Sequence, residues 1–143
     1  LNTYRGITIY ATRIIDGDTF EGRSNSSIYK IRLNGIDAPE RGQDFYKVSK
    51  QKLGDLCLRG PLIVQLLYKD RYGRWIADVT NNDQVSLNHA MVEAGLAWHF
   101  KKYSSDTVLA RKEEIARMNK TGLWQSAHAI EPWLFRKKKT IET

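Results

Sequence analysis

The spacing of apolar residues changes period several times along the chain. Ile7 to Ile15, dominated by Thr, Ile and Tyr, reads as a first strand. Asp16-Gly17 is a hairpin dipeptide, and Asp18 to Arg23 resumes as a short strand. Ser24 to Ser27 is a polar turn. Ile28 to Leu33 then completes a three-stranded meander, in which Ile31 and Leu33 point to one face and Lys30 and Arg32 to the other. Asn34-Gly35 breaks the alternation. Phe45 to Leu58 reads as a helix through Phe45, Val48, Leu53 and Leu56, stopped by Arg59-Gly60-Pro61. Leu62 to Leu67 is a short apolar run suited to a buried strand, and Trp75 to Thr80 is a fifth strand beyond the Asp70 to Gly73 turn.

The second half turns helical. Ser86 is a candidate N-cap, and Leu87, Ala90, Met91 and Ala94 recur at helical spacing before Gly95. A third helix, capped by Ser105 or Asp106, runs to about Asn119. It pairs Val108 with Ile115 and Leu109 with Ala116, with Glu113 and Arg117 spaced for an i,i+4 ion pair. Thr121-Gly122 ends it. Trp124 and Trp133 are apolar anchors for a tail packed on the domain, and Lys137, Lys138 and Lys139 read as a frayed, solvated terminus. Five short, mostly antiparallel strands with a helix after the third predict a mainly β, α+β fold. Its leading form is a small, partly open barrel of the oligonucleotide-binding kind (OB-fold).

Composition narrows the picture. The 143 residues suit one domain with one core, and 41% apolar content with four Trp, seven Tyr and four Phe supports a folded globule. The net charge of +7 favours polyanionic partners. Cys57 is the only cysteine, which excludes an intrachain disulfide and a thiolate zinc site and fits a small buried hydrophobe. No apolar run approaches a membrane span. The chain begins at Leu1 rather than Met, so the expectation is that a leading segment was removed or trimmed.

Chemistry concentrates in turns and at strand ends. Asp16 and Asp18 flank one glycine, Asp37 and Glu40 bracket a rigid proline, and Arg32, Arg71 and Arg74 lie at a strand end or in a turn. Each group alone reads as solvated turn charge. Together they offer oxygen ligands, which select hard cations such as Ca²⁺ or Mg²⁺. His89, His99 and His128 show no metal spacing, and there is no nucleophile motif or glycine-rich phosphate loop. Phosphodiester hydrolysis needs cations aimed at a phosphorane, a base for water, and a metal or arginine fork on phosphate oxygens. This residue set could supply all three.

Three motifs occur in order: Ile14-Ile15-Asp16-Gly17-Asp18-Thr19, Arg32-Leu33 with Ile36-Asp37-Ala38-Pro39-Glu40, and Asp70-Arg71-Tyr72-Gly73-Arg74. With Gly95-Leu96-Ala97 and Gly122-Leu123-Trp124 they resemble the staphylococcal nuclease (thermonuclease) family over about residues 8 to 133. The resemblance implies a five-stranded Greek-key OB barrel with three helices in one domain, 1–143, ending in a basic tail at 136–143. It implies calcium-dependent cleavage of DNA and RNA with little sequence preference, leaving 3′-phosphates. It places Asp18, Asp37 and the Ala38 carbonyl as calcium ligands, Asp16 behind them through water, and Glu40 as general base. Arg32 and Arg74 fall on the phosphate-binding arginines. Arg71, which stands where lysine is more usual, and Tyr72 fall on the terminal-phosphate site. Tyr103 matches one aromatic position near the substrate base, whereas Lys101 occupies the other. A monomer, secreted or periplasmic, is the implied setting.

Two other readings compete. One is a catalytically silent OB-fold module binding single-stranded nucleic acid or a protein tail; the complete set Asp18, Arg32, Asp37, Glu40 and Arg74 argues against it. The other, an architectural DNA-binding protein, lacks a helix-turn-helix or zinc signature.

Overall fold

The computed structural model describes residues 6–142. The expected domain of 1–143 therefore includes residues 1–5 and 143, which lie outside the described residues. Five strands form a closed barrel: β1 (Ile7–Asp16), β2 (Thr19–Ser24), β3 (Ser27–Leu33), β5 (Leu62–Lys69) and β6 (Trp75–Thr80), in the order β1-β2-β3-β6-β5. Every pairing is antiparallel except β3 with β6. A two-residue strand, β4 (Ile36–Asp37), pairs outside the barrel with β7 (Trp98–His99). The remaining elements are α1 (Tyr46–Cys57), α2 (Leu87–Glu93), α3 (Thr107–Met118), a 3₁₀ turn at Gly122–Gln125 and α4 (Pro132–Glu142).

Alternation on β3 sends Ile31 and Leu33 into the core and Arg32 to the opposite face, as the pattern requires. Ile9, Phe20, Val64, Val79 and Leu62 fill the barrel, and Leu53, Leu87, Met91 and Leu109 close it from the helices. A smaller cluster of Trp98, Ala116, Leu123 and Trp124 takes in Trp133 from α4. Cys57 is buried, and burial pushes its thiol up to about 12, so it serves as an inert hydrophobe. No helix among the described residues is long and apolar enough to cross a membrane.

Three expectations are corrected. The buried stripe of α1 is Ser49, Leu53 and Cys57, while Val48 is exposed. Ser49 sits inside because its hydroxyl donates to the Leu96 carbonyl at 2.9 Å. On α3 the buried positions are Leu109, Glu113 and Ala116, and Val108 and Ile115 face water. Glu113 is buried because it accepts the His99 backbone N–H at 2.9 Å beside Lys101 and Arg117. The terminus is a fourth α-helix, not a frayed tail. Pro132 takes the first helical position, where its missing N–H costs nothing, and Trp133 stacks on Phe100 at 5.0 Å. Lys137 to Lys139 are exposed on that helix.

Gly95 joins the two clusters. Its φ is +69°, and a Cβ there would stand 2.2 Å from the Thr121 carbonyl oxygen. Its own carbonyl accepts the Leu123 N–H at 2.8 Å. Both the backbone conformation and the close approach demand glycine. Gly95→Ala should therefore destabilise the protein by more than about 2 kcal/mol in chemical denaturation.

Candidate active site

The Asp16-Gly17-Asp18 turn is drawn inward. A Cβ on Gly17 would lie 1.8 Å from the Ser49 hydroxyl, so only glycine lets the turn pack on α1. A register shift between Ile14 and Asp16 re-aims the end of β1. Asp18 is consequently buried rather than solvated. Its Oδ1 accepts from the Thr19 hydroxyl at 2.8 Å, and its Oδ2 accepts from the Ala38 N–H at 2.8 Å. Its backbone carbonyl accepts the Leu33 N–H at 2.8 Å, which fastens the turn to the end of β3.

Arg32 reaches across from β3. Its Nη1 donates to the carbonyls of Leu33 at 3.0 Å and Ile36 at 2.9 Å, and its Nη2 donates to Asp37 Oδ1 at 3.3 Å. Asp18 Oδ2 lies 3.6 Å from the same Nη2. Most donors of this guanidinium are thus spent inside the protein. Asp37, buried on β4, is also gripped from α4: Arg136 Nη1 donates to Oδ1 at 3.0 Å and Nη2 to Oδ2 at 2.8 Å. The same Arg136 Nη1 donates to Glu40 Oε2 at 2.7 Å.

The structure therefore brings Asp16, Asp18, Arg32, Asp37, Ala38 and Glu40 to one end of the barrel. Arg71, Tyr72 and Arg74 form a separate group on the turn before β6. Asp70 organises that turn by accepting the N–H of Tyr72 and of Arg74, each at 2.9 Å, and Arg74 Nε at 2.8 Å. Arg74 Nη1 and Nη2 have no hydrogen-bonding partner among the described residues. Arg74 leads into β6, the strand that pairs in parallel with β3, two residues before Ile76, the partner of Arg32. Tyr103 is exposed in a third place, edge-on to Phe100 at 4.9 Å. Sequence reasoning missed Arg136. The signal was present: Pro132 as a helix start sets Arg136 three residues after Trp133, on the same helix face.

Charge governs the cluster. Burial, and next the charge of Asp18, push Asp16 up to about 8. Burial also works to raise Asp18, but the charge of Arg32 and hydrogen bonds from Asp16, Ala38 and Thr19 outweigh it and hold that carboxyl below the usual range. Fully ionised, Asp16, Asp18, Asp37 and Glu40 exceed Arg32 and Arg136 by two negative charges. Among the described residues no three His, Cys, Asp or Glu side chains converge to hold a metal by themselves. The two buried Asp carboxylates nevertheless fit a hard dication in ligand type, and the excess of carboxylates over arginines fits it in sign.

The unfolded chain releases the Asp16 proton near 3.8, whereas the folded protein keeps it to about 8. The folded state thus binds more protons between these values, and stability falls as pH rises through that window. In chelator, Asp16→Asn should flatten this decline; an unchanged slope in denaturation measured from pH 4 to 8 would show that Asp16 is not its source.

Known proteins match this sequence. The family model of staphylococcal nuclease homologues matches residues 30–126. An uncharacterized endonuclease of Escherichia coli O157:H7 is 38% identical over 127 residues, covering 89% of this chain and 83% of that protein. The micrococcal nuclease of Shigella flexneri is 36% identical over 135 residues, covering 87% and 78% respectively. A staphylococcal-like nuclease of Arabidopsis thaliana is 37% identical over 112 residues, 78% of this chain but 34% of that longer protein. With its sequence matched along most of its length by the family model and by these relatives, the chain belongs to the staphylococcal nuclease homologue family.

Proposed function

We propose that the protein is a calcium-dependent nuclease that hydrolyses DNA and RNA with little sequence preference. The reading rests on one observation: carboxylates in excess of their arginine partners, packed at the end of an OB-type barrel. Asp18, Asp37 and the Ala38 carbonyl would hold the cation, with Asp16 behind them. When bound, Ca²⁺ would neutralise phosphate charge and favour ionisation of the surrounding acids.

The chain's own groups would carry the rest. Asp70 grips Nε of Arg74 and leaves the Nη1 and Nη2 edge for two phosphate oxygens. Arg32, with most donors committed internally, contributes charge and holds Asp37 in place. Arg136 takes Oε2 of Glu40, and Oε1 would accept the proton of a water attacking phosphorus. The P–O5′ bond then breaks, the departing oxygen takes up a proton, and the 3′-phosphate remains. Arg71 and Tyr72, hydrogen-bonded to each other at 3.0 Å, would meet a terminal phosphate, and Tyr103 a base. The sequence carries no helix-turn-helix or zinc signature for base readout, so backbone contacts would dominate binding.

Plasmid and single-strand degradation with Ca²⁺, with Mg²⁺ and with chelator tests the reading. Cleavage in Ca²⁺ that chelator abolishes supports it; binding without cleavage in any of them identifies a silent OB-fold module instead. Arg74→Lys keeps charge but loses the fork, and should lower kcat by about 100-fold or more at nearly unchanged stability. Arg32→Lys leaves the Leu33 and Ile36 carbonyls without their shared donor. It should lower both kcat and stability, the latter by about 1–3 kcal/mol. Near-normal kcat in Arg74→Lys would mean that its guanidinium only braces the Asp70 turn.

A further inference from the structure

We propose that Arg136 is a positioning residue: its guanidinium, delivered by α4, sets Glu40 against Asp37. This rests on the nuclease reading above and extends the working site to the last helix of the chain.

Glu40 lies in residues 38–45, between β4 and α1, where no strand ladder or helix fixes the backbone. Three local bonds shape this stretch: Glu40 N–H to Gln43 Oε1 at 2.8 Å, Gln43 N–H to the Glu40 carbonyl at 2.9 Å, and Tyr46 N–H to the Gln43 carbonyl at 3.2 Å. None of them directs the Glu40 carboxylate. Its side-chain partner among the described residues is Arg136, through Oε2 at 2.7 Å. Arg136 in turn is oriented by Asp37, which accepts from both Nη1 and Nη2. A two-toothed pair fixes the guanidinium plane as well as its position. Nη1 then serves both acids, so two like charges that would otherwise part are held on one nitrogen.

The rest of the terminal segment supports that placement. Gln43 Nε2 donates to the Ile130 carbonyl at 2.9 Å, just ahead of α4. The Phe135 ring lies against Gly42, where a Cβ would be 3.5 Å from its tip. Trp133 seats the helix on Phe100 and Trp98. The stretch ends at Phe45, a bulky residue held at φ +69°, a strained conformation that surrounding packing must enforce. Phe45 is partly buried against both hydrophobic clusters. The Glu40 segment is therefore clamped between α1 and α4, and Arg136 is the clamp's contact with the reacting groups.

Arg136→Ala, Arg136→Lys and wild type would be compared in Ca²⁺ by steady-state kinetics, each with its melting temperature and its Ca²⁺ affinity by calorimetry. Misplacing a base by about 1 Å can cost about 100-fold in rate. Arg136→Ala should lose about that much in kcat with KM within about threefold of wild type. Guanidinium ion, well below denaturing concentration, should restore at least about tenfold of the loss in Arg136→Ala and nothing in wild type. Arg136→Lys should stay low, because an ammonium cannot serve both oxygens of Asp37 and Glu40 together. If Arg136→Ala melts early, the guanidinium rescue and the folded Arg136→Lys protein still decide the matter. Wild-type kcat in a folded Arg136→Ala, or higher activity with tighter Ca²⁺ binding, would overturn the proposal while leaving the nuclease reading intact. Wild type that cleaves nothing in Ca²⁺ would overturn both.

Discussion

The end of the barrel depends on Arg32. Two strands, β3 and β4, finish there with the Leu33 and Ile36 carbonyls turned to one side chain, and Asp18 and Asp37 point into the same space. One guanidinium meets both needs: Nη1 takes the Leu33 and Ile36 carbonyls, and Nη2 faces the two carboxylates. A lysine has no planar fork with which to do this. Breaking such a buried pair leaves an uncompensated charge, which is why the site residues are also structural ones.

The cluster is only partly neutralised by the chain itself. Asp16 responds by holding its proton to about 8, and Asp18 remains the ionised member of that pair. A fold that gathers carboxylates beyond its own cations stores repulsion, which an external cation relieves. Strain of another kind appears beside it, in Phe45 at positive φ. Both sit at the edge of the same short segment, where activity requires fixed geometry and packing must supply it.

Much of this was legible in the chain. The two-residue period of Ile31, Arg32 and Leu33 placed Arg32 opposite the core, and the five barrel strands followed from the same reasoning. The acids and arginines could be named from turn chemistry and the three ordered motifs. What could not be read was depth. Hydropathy marks Asp18 as solvated, yet Thr19, Ala38 and Arg32 supply the donors that bury it. The wrong faces chosen for α1 and α3 share that cause: Ser49 and Glu113 are interior because a distant carbonyl and a distant N–H need them. β4 is two residues long and pairs with Trp98-His99, a contact that no local pattern announces. The lysines at 137–139 hid α4, although Pro132 and Trp133 marked its start.

On the reading proposed above, Asp18 and Asp37 would hold a hard cation that offsets carboxylate charge the two arginines leave unpaired. Calorimetric titration of Ca²⁺ into wild type, Asp18→Asn and Asp37→Asn tests it most directly, because it needs neither substrate nor turnover. One site is expected in wild type, with affinity lowered at least about tenfold in each variant, roughly the 1.4 kcal/mol that a tenfold change represents. Unchanged Ca²⁺ affinity in both folded variants would contradict it.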